Sequence, residues 1–157
     1  MKKILAAIDA SPRANGVLST ATELSLSFGA SLYVLRVVTV PPEFPAAAAG
    51  SGRDALPAHM AAIAMQDLLQ HIARLPQGLL ATKPLVRVGE PWRVVLATAR
   101  ELDVDIIVMG SHGYGGWDRL LGTTAATVAN RADRNVLIVH DRTDSLPGHG
   151  DVKDREW

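Results

Sequence analysis

Five short apolar runs alternate with longer segments of helical periodicity in this chain, and this alternation restricts the fold more than any other feature. The runs lie at residues 4–8, 32–40, 85–88, 104–109 and 136–139. A strand without polar alternation is typically buried on both faces, as in a parallel sheet covered by helices. Right-handed crossovers then predict one α/β domain, a doubly wound sandwich. Its five-stranded parallel sheet has the order 3-2-1-4-5, with helices on both faces.

The segments between the runs carry helix signals. Ser11 and Pro12 are expected to be the N-cap and first residue of the first helix, and Gly29 its C-cap. Between them, apolar residues recur at helical spacing at Val17, Ala21, Leu24 and Phe28. A second helix is predicted from about residue 57, and Pro91 begins a third.

Length and charge set the class of protein. The 157 residues suffice for one domain, predicted over residues 1–140, while the polar residues 141–157 are expected to form a disordered tail. Lysine plus arginine equals aspartate plus glutamate, 16 each, which argues against a general nucleic-acid binder. The absence of cysteine excludes disulfides and thiolate chemistry. No apolar run is long enough for a signal peptide or a bilayer span, so we expect a cytoplasmic protein without membrane contact.

A glycine-rich segment from Gly110 to Thr124 follows the fourth apolar run and leads into a helix. This order is typical of phosphate binding, because glycines let backbone N–H groups approach an anion and a helix N-terminus adds positive charge. The segment is not a Walker A loop. It is not a dinucleotide fingerprint either, since that motif would follow the first strand, where the chain has Asp9-Ala10-Ser11. A tight connection without a ligand is the structural alternative.

The predicted strand order places this segment beside the end of the first strand. In an open parallel sheet, ligands bind at the carboxyl ends of the strands where the order reverses, here between strands 1 and 4. Asp9 follows strand 1 and Gly110 follows strand 4, so both are predicted to face one crevice. The arrangement suits a nucleotide, with phosphates on the loop and Asp9 near the nucleoside or a divalent metal. Asp9 as a helix cap is the structural alternative.

Together these pieces resemble the universal stress protein family over about residues 1–140. The resemblance rests on residues 4–11, 32–38, 88–91, 105–113, 122–123 and 135–139. The nucleotide-binding branch of that family carries Gly-x-x-Gly, nine residues, then Gly and Ser or Thr. Here eight residues separate Gly113 from Gly122, and Ala10 stands where the family often has glycine.

The resemblance implies a set of nucleotide-contacting residues. Gly110 and Gly113 would wrap the phosphates, and the segment at residues 122–124 would complete the cradle. Asp9 would lie near the nucleoside and Mg²⁺, and Val38 would present its backbone to adenine. His112 lacks an evident acid partner for a general base, so we expect it beside phosphate. The full set is Asp9, Ala10, Val38, Met109, Gly110, His112, Gly113, Gly122, Thr123 and Thr124.

The implied function is that of an ATP-binding regulatory or stress-response protein that acts as a nucleotide-dependent homodimer. ATP, or another adenine nucleotide, would bind with Mg²⁺ and change the surface offered to a regulatory protein partner. Slow hydrolysis at most is expected, because no base or water-positioning residue is evident. The last strand is an uncharged edge that invites pairing with a second copy, through Val136, Leu137, Ile138 and Val139. The alternatives are an interaction module of the same fold without nucleotide and a weak ATP-cleaving enzyme.

Overall fold

Five strands and four helices alternate in the computed structural model, which describes residues 1–40, 55–111 and 123–140. The elements are β1 (Lys3–Ile8), α1 (Ala14–Phe28), β2 (Ser31–Val38), α2 (Ala55–Ala73), β3 (Thr82–Val88), α3 (Pro91–Glu101), β4 (Ile106–Gly110), α4 (Thr123–Arg131) and β5 (Asn135–Val139). All paired strands are parallel, and they form one sheet in the order β3-β2-β1-β4-β5. The predicted fold class and strand order are confirmed.

Alternate residues of each strand point to opposite faces of the sheet and build two apolar layers. Ile4 and Val34 pack with α1 and α2 on one face. Leu5 and Ile107 pack with α3 and α4 on the other face. All four side chains are fully buried. Burial on both faces explains why the strand sequences show no polar alternation.

Helix α1 begins later than its sequence signals indicate. The Ser11 hydroxyl donates to Asp9 Oδ1 at 2.6 Å, and the Ser11 backbone N–H donates to the same oxygen at 2.9 Å. The chain then makes a turn in which the Ala14 N–H donates to the Ser11 carbonyl at 3.1 Å. The predicted N-cap at Ser11 is therefore wrong, because Asp9 engages its hydroxyl and the helix begins at Ala14. Gly29, with φ +58°, caps the other end as predicted.

Strand β3 is longer than its apolar run indicates, and it includes Pro84. A proline fits here because β3 is an edge strand and the N–H that it lacks lies on the outer side. Gly89 follows the strand with φ +148°, and its N–H donates to the Val38 carbonyl at 3.0 Å. This bond joins the ends of β2 and β3 just before α3 begins.

Some predictions concern residues outside the described part of the chain. They concern most of the glycine-rich segment, at residues 112–122, and the predicted tail at residues 141–157; residues 41–54 also lie outside the described part. Among the described helices, none has the length and apolar composition needed to cross a bilayer.

Candidate functional site

A crevice of about 850 Å³ opens at the carboxyl ends of β1, β2 and β4, between α1, α2 and the start of α4. Its described lining is mostly apolar, with a few polar groups, which is typical of small-molecule sites. Asp9 from the end of β1 and Gly110 from the end of β4 both line it, as the strand order predicts. Further predicted site residues in the lining are Ala10, Val38, Met109 and Thr124.

Asp9 is half-buried in the connection between β1 and α1. One carboxylate oxygen, Oδ1, accepts both the backbone N–H and the hydroxyl of Ser11. Asp9 is thus not the N-cap of α1, whose N-cap residue is Arg13, but it accepts the hydrogen bonds of Ser11 in the turn that leads into the helix. The described residues provide no hydrogen bond to the second oxygen, Oδ2. As far as residues 1–40, 55–111 and 123–140 are concerned, Oδ2 can accept a ligand hydroxyl or bind a metal ion.

The β4 side of the crevice contains the described ends of the predicted phosphate cradle. Met109 is buried, and Gly110 ends β4 beside α1, where a Cβ atom would lie 3.6 Å from Val17 Cγ2. Helix α4 begins at Thr123, and Thr124 in its first turn lines the crevice. First-turn N–H groups have no partner within their own helix and carry partial positive charge, so this end of the crevice favours an anion.

Three predicted cradle residues lie outside the described residues, namely His112, Gly113 and Gly122. The structure therefore does not test the shorter spacing between Gly113 and Gly122, which is known from the sequence alone. Thr123 is exposed at the start of α4, and its carbonyl accepts the Thr127 hydroxyl at 2.7 Å.

At the end of β2, alternate residues direct their backbone groups to opposite sides, and only every second residue can present its carbonyl to the crevice. The Val38 carbonyl accepts the Gly89 N–H, so the backbone of Val38 is directed toward β3. Successive residues of a strand between two parallel neighbours direct their N–H and C=O groups to opposite sides. The carbonyl of Val37 is consequently directed toward β1, beyond the last residue of that strand. Val37 is a second candidate for contact with a base, adjacent to the predicted Val38.

An ion pair that the sequence did not predict forms the wall facing α2. Arg36 Nη1 lies 2.7 Å from Asp67 Oδ2 and also donates to the Asp9 carbonyl at 3.4 Å. The Arg36 side chain is 14 % exposed, whereas that of Asp67 is 43 % exposed. His71, one turn along α2, contacts the Asp67 carbonyl through Nδ1 at 2.9 Å. The available signal was Arg36 itself, a single charge within an otherwise apolar strand sequence.

A metal site made by protein side chains alone is not present in the described part of the chain, where no three His, Asp or Glu residues cluster suitably. Asp9 Oδ2 offers one oxygen ligand. Mg²⁺ is commonly bound by one or two carboxylates together with substrate phosphates and water. The described residues thus fit a metal ion that arrives with a nucleotide.

Two groups with lowered pKa values, Asp105 and Asp133, lie at the opposite edge of the sheet, away from the crevice. The backbone N–H groups of Lys2 and Lys3 donate to Asp105 and hold the pKa of that carboxyl below its usual value. Hydrogen bonds from Arg134 hold the pKa of Asp133 well below its usual range. These pairs stabilise the start of β4 and β5 and take no part in the candidate site.

Comparison with known proteins matches residues 1–140 to the Universal stress protein family. The chain is 33 % identical over 147 residues to universal stress protein A homolog 1 of Coxiella burnetii, covering 88 % of this chain and 95 % of that protein. It is similar to the solved structure of the universal stress protein from Archaeoglobus fulgidus in complex with dAMP, with 26 % identity, a TM-score of 0.58, and coverage of 88 % and 96 %. It also resembles a universal stress protein in complex with cAMP, with 21 % identity, a TM-score of 0.62, and the same coverage.

Proposed function

Because the chain belongs to the universal stress protein family, we propose that its crevice binds an adenine nucleotide and that occupancy regulates the protein. The observation that carries this proposal is that Asp9, Gly110 and the first turn of α4 line one crevice. They join a carboxylate, a glycine and a helix N-terminus at the point where the strand order reverses. The dAMP and cAMP complexes of structurally similar proteins support an adenine nucleotide as the ligand.

In this proposal the ligand extends along the carboxyl edge of the sheet. Its phosphates face Gly110 and the start of α4, where backbone N–H groups and the helix dipole attract negative charge. Asp9 Oδ2 faces the sugar or binds Mg²⁺ that accompanies ATP. The metal would neutralise phosphate charge in this position. The base faces the end of β2, where the Val37 carbonyl is directed toward the crevice and the Val38 side chain forms part of the wall.

The regulatory part of the proposal is that binding of ATP with Mg²⁺ changes the surface that the protein presents to a protein partner. Slow hydrolysis at most is expected, since the described lining offers no histidine to act as a general base. We expect the protein to act in the cytoplasm.

A homodimer through β5 also belongs to the proposal. The Val139 carbonyl accepts the Ser111 N–H from the β4 side, so alternate residues face the open edge of the sheet. The backbone groups of Val136 and Ile138 are therefore directed outward, where none of the described strands pairs with them. An edge strand without charged residues is suited to pairing with its own copy about a two-fold axis.

Titration calorimetry with ATP and Mg²⁺ tests the nucleotide proposal, with Gly110→Ala as the variant. The new Cβ would meet Val17 at an ordinary contact distance, so the fold should be retained. A methyl group between the backbone and a phosphate should weaken binding about ten-fold, or about 1.4 kcal/mol. Gly16→Ala is the matched control, because its Cβ has similar space, 4.0 Å from Val139 Cγ1, and Gly16 does not line the crevice.

The other candidate functions give different results in the same experiment. An interaction module without nucleotide would show no binding heat with ATP, ADP or AMP and no change in melting temperature. An ATP-cleaving enzyme would release phosphate at many turnovers per minute. Equal affinity of the wild type and Gly110→Ala would contradict the placement of phosphate at β4.

A further inference from the structure

Within the described residues, the Arg36–Asp67 pair leaves part of its hydrogen-bonding capacity unused. A guanidinium group has five N–H donors, and the two described bonds of Arg36 both come from Nη1. Its Nε and Nη2 groups have no acceptor within residues 1–40, 55–111 and 123–140. On the partner, Asp67 Oδ1 is 3.9 Å from His71 Nδ1, too far for a hydrogen bond, and it too has no donor in that part of the chain.

These unused groups form part of the crevice wall, because both side chains line it. The strand register places them at a definite distance from the phosphate end. Arg36 pairs with Ile8 across β1–β2, and Ala7 pairs with Met109 across β1–β4. Arg36 and Gly110 are thus two strand spacings apart, or about 10 Å. A ligand with phosphate at Gly110 would present its other end to Arg36 and Asp67.

We propose that Arg36 and Asp67 determine base specificity in the nucleotide site, an inference that rests on the proposed function. Asp67 Oδ1 accepts a hydrogen bond from the exocyclic amine of adenine, and Arg36 donates to the adjacent ring nitrogen. Adenine presents such neighbouring groups, the N6 amine as donor and N7 as acceptor. The pair carries no net charge, and the exposed carboxylate disfavours phosphate at this end of the crevice.

A purely structural role is the competing explanation, since the pair also connects β2 to α2. The chain contains a matched example of that role. Arg87 on β3 and Glu101 at the end of α3 form an ion pair at 2.6 Å, and neither residue lines the crevice. A variant of Glu101 therefore removes a comparable ion pair without touching the candidate site.

The test is a cycle that combines a protein variant with a ligand analogue. Binding of ATP and of purine riboside triphosphate, which lacks the 6-amino group, is measured for the wild type, Asp67→Ala and Glu101→Ala. The wild type and Glu101→Ala should each bind the analogue about ten-fold more weakly than ATP, because a hydrogen bond to a charged group is lost. Asp67→Ala should bind both ligands with affinities within about two-fold of each other, since no carboxylate remains to receive the amine.

The outcomes separate this inference from the proposed function. If the analogue without the 6-amino group loses the same affinity relative to ATP in the wild type and in Asp67→Ala, the specificity role is overturned. The proposal of nucleotide binding is unaffected by that result. Failure of the wild type to bind ATP would overturn the proposed function and the inference with it. If Asp67→Ala does not fold, the double variant Arg36→Met with Asp67→Leu removes both charges together, and the same comparison applies.

Discussion

Gly89 offers the sharpest test of how the chain positions the crevice. Its φ of +148° lies in a region that residues with a side chain rarely adopt, and a Cβ atom there would lie 2.9 Å from Val94 Cγ2 in the first turn of α3. Its N–H also holds the Val38 carbonyl at the end of β2. We therefore predict that Gly89→Ala destabilises the protein through two separate terms, backbone strain and a steric clash.

The expected size follows from those terms. A residue held in a sparsely populated backbone region costs about 1–3 kcal/mol. Relief of the clash requires α3 or the Val94 side chain to move, which adds about 1 kcal/mol by analogy with overpacked cores. The sum of about 2–4 kcal/mol should lower the melting temperature by about 5–15 °C for a domain of this size. Thermal and urea unfolding followed by far-UV circular dichroism measure both quantities.

Variants at two other glycines separate the effect of backbone strain on stability from that of the steric clash. Gly29 has φ +58° with open space around its Cβ position, so Gly29→Ala carries backbone strain without a clash. Gly110 has no positive φ and only an ordinary contact, so Gly110→Ala should change stability by less than about 0.5 kcal/mol. We expect the order Gly89, Gly29, Gly110 from the largest loss to the smallest. A Gly89→Ala variant as stable as Gly29→Ala would refute the clash at Val94.

Three further predictions concern other parts of the molecule. Thr98 is fully buried in α3 and its hydroxyl has no partner among the described residues, so Thr98→Val should raise the free energy of unfolding by about 1 kcal/mol in urea titrations. The pKa of Asp105 is lowered from 3.8 by the N–H groups of Lys2 and Lys3, so its contribution to stability is complete above about pH 4 and is lost as the pH falls further. Melting curves of Asp105→Asn should accordingly depend less on pH below 4 than those of the wild type. Val136→Pro removes an outward N–H from β5 and should convert a dimer to a monomer in sedimentation velocity, whereas an unchanged dimer would place the interface elsewhere.

Much of the fold was predictable because the strands are buried on both faces. Uninterrupted apolar runs such as residues 4–8 have few structural solutions, and helical segments between them require a parallel sheet. The errors occurred where a local signal competes with a tertiary contact. Ser11 followed by proline is typical of an N-cap, yet its hydroxyl donates to Asp9. The apolar run at residues 85–88 indicated a shorter strand, but the open edge of the sheet tolerates Pro84 within β3.

Some residues of the candidate site were likewise predictable from the sequence, whereas others depend on tertiary contacts. The positions of Asp9 and Gly110 follow from topology, because both come directly after central strands of the predicted order. The orientation of the Val38 backbone depends on which residues of β2 bond to β3. No local sequence pattern indicates which of the alternating residues these are. The Arg36–Asp67 pair joins residues 31 positions apart, and only the packing of α2 against β2 brings them together.

These contacts give the crevice two chemically different ends. The β4 end offers backbone N–H groups and the positive end of a helix dipole, whereas the α2 end offers a carboxylate whose charge is balanced by one guanidinium. A nucleotide placed in the reverse direction would bring its phosphates toward Asp67 and leave the start of α4 without an anion. We therefore expect the phosphates at the β4 end, and this expectation uses none of the residues between 112 and 122. In the proposed orientation, the glycine-rich segment would add affinity at the end of the crevice where we expect the phosphates.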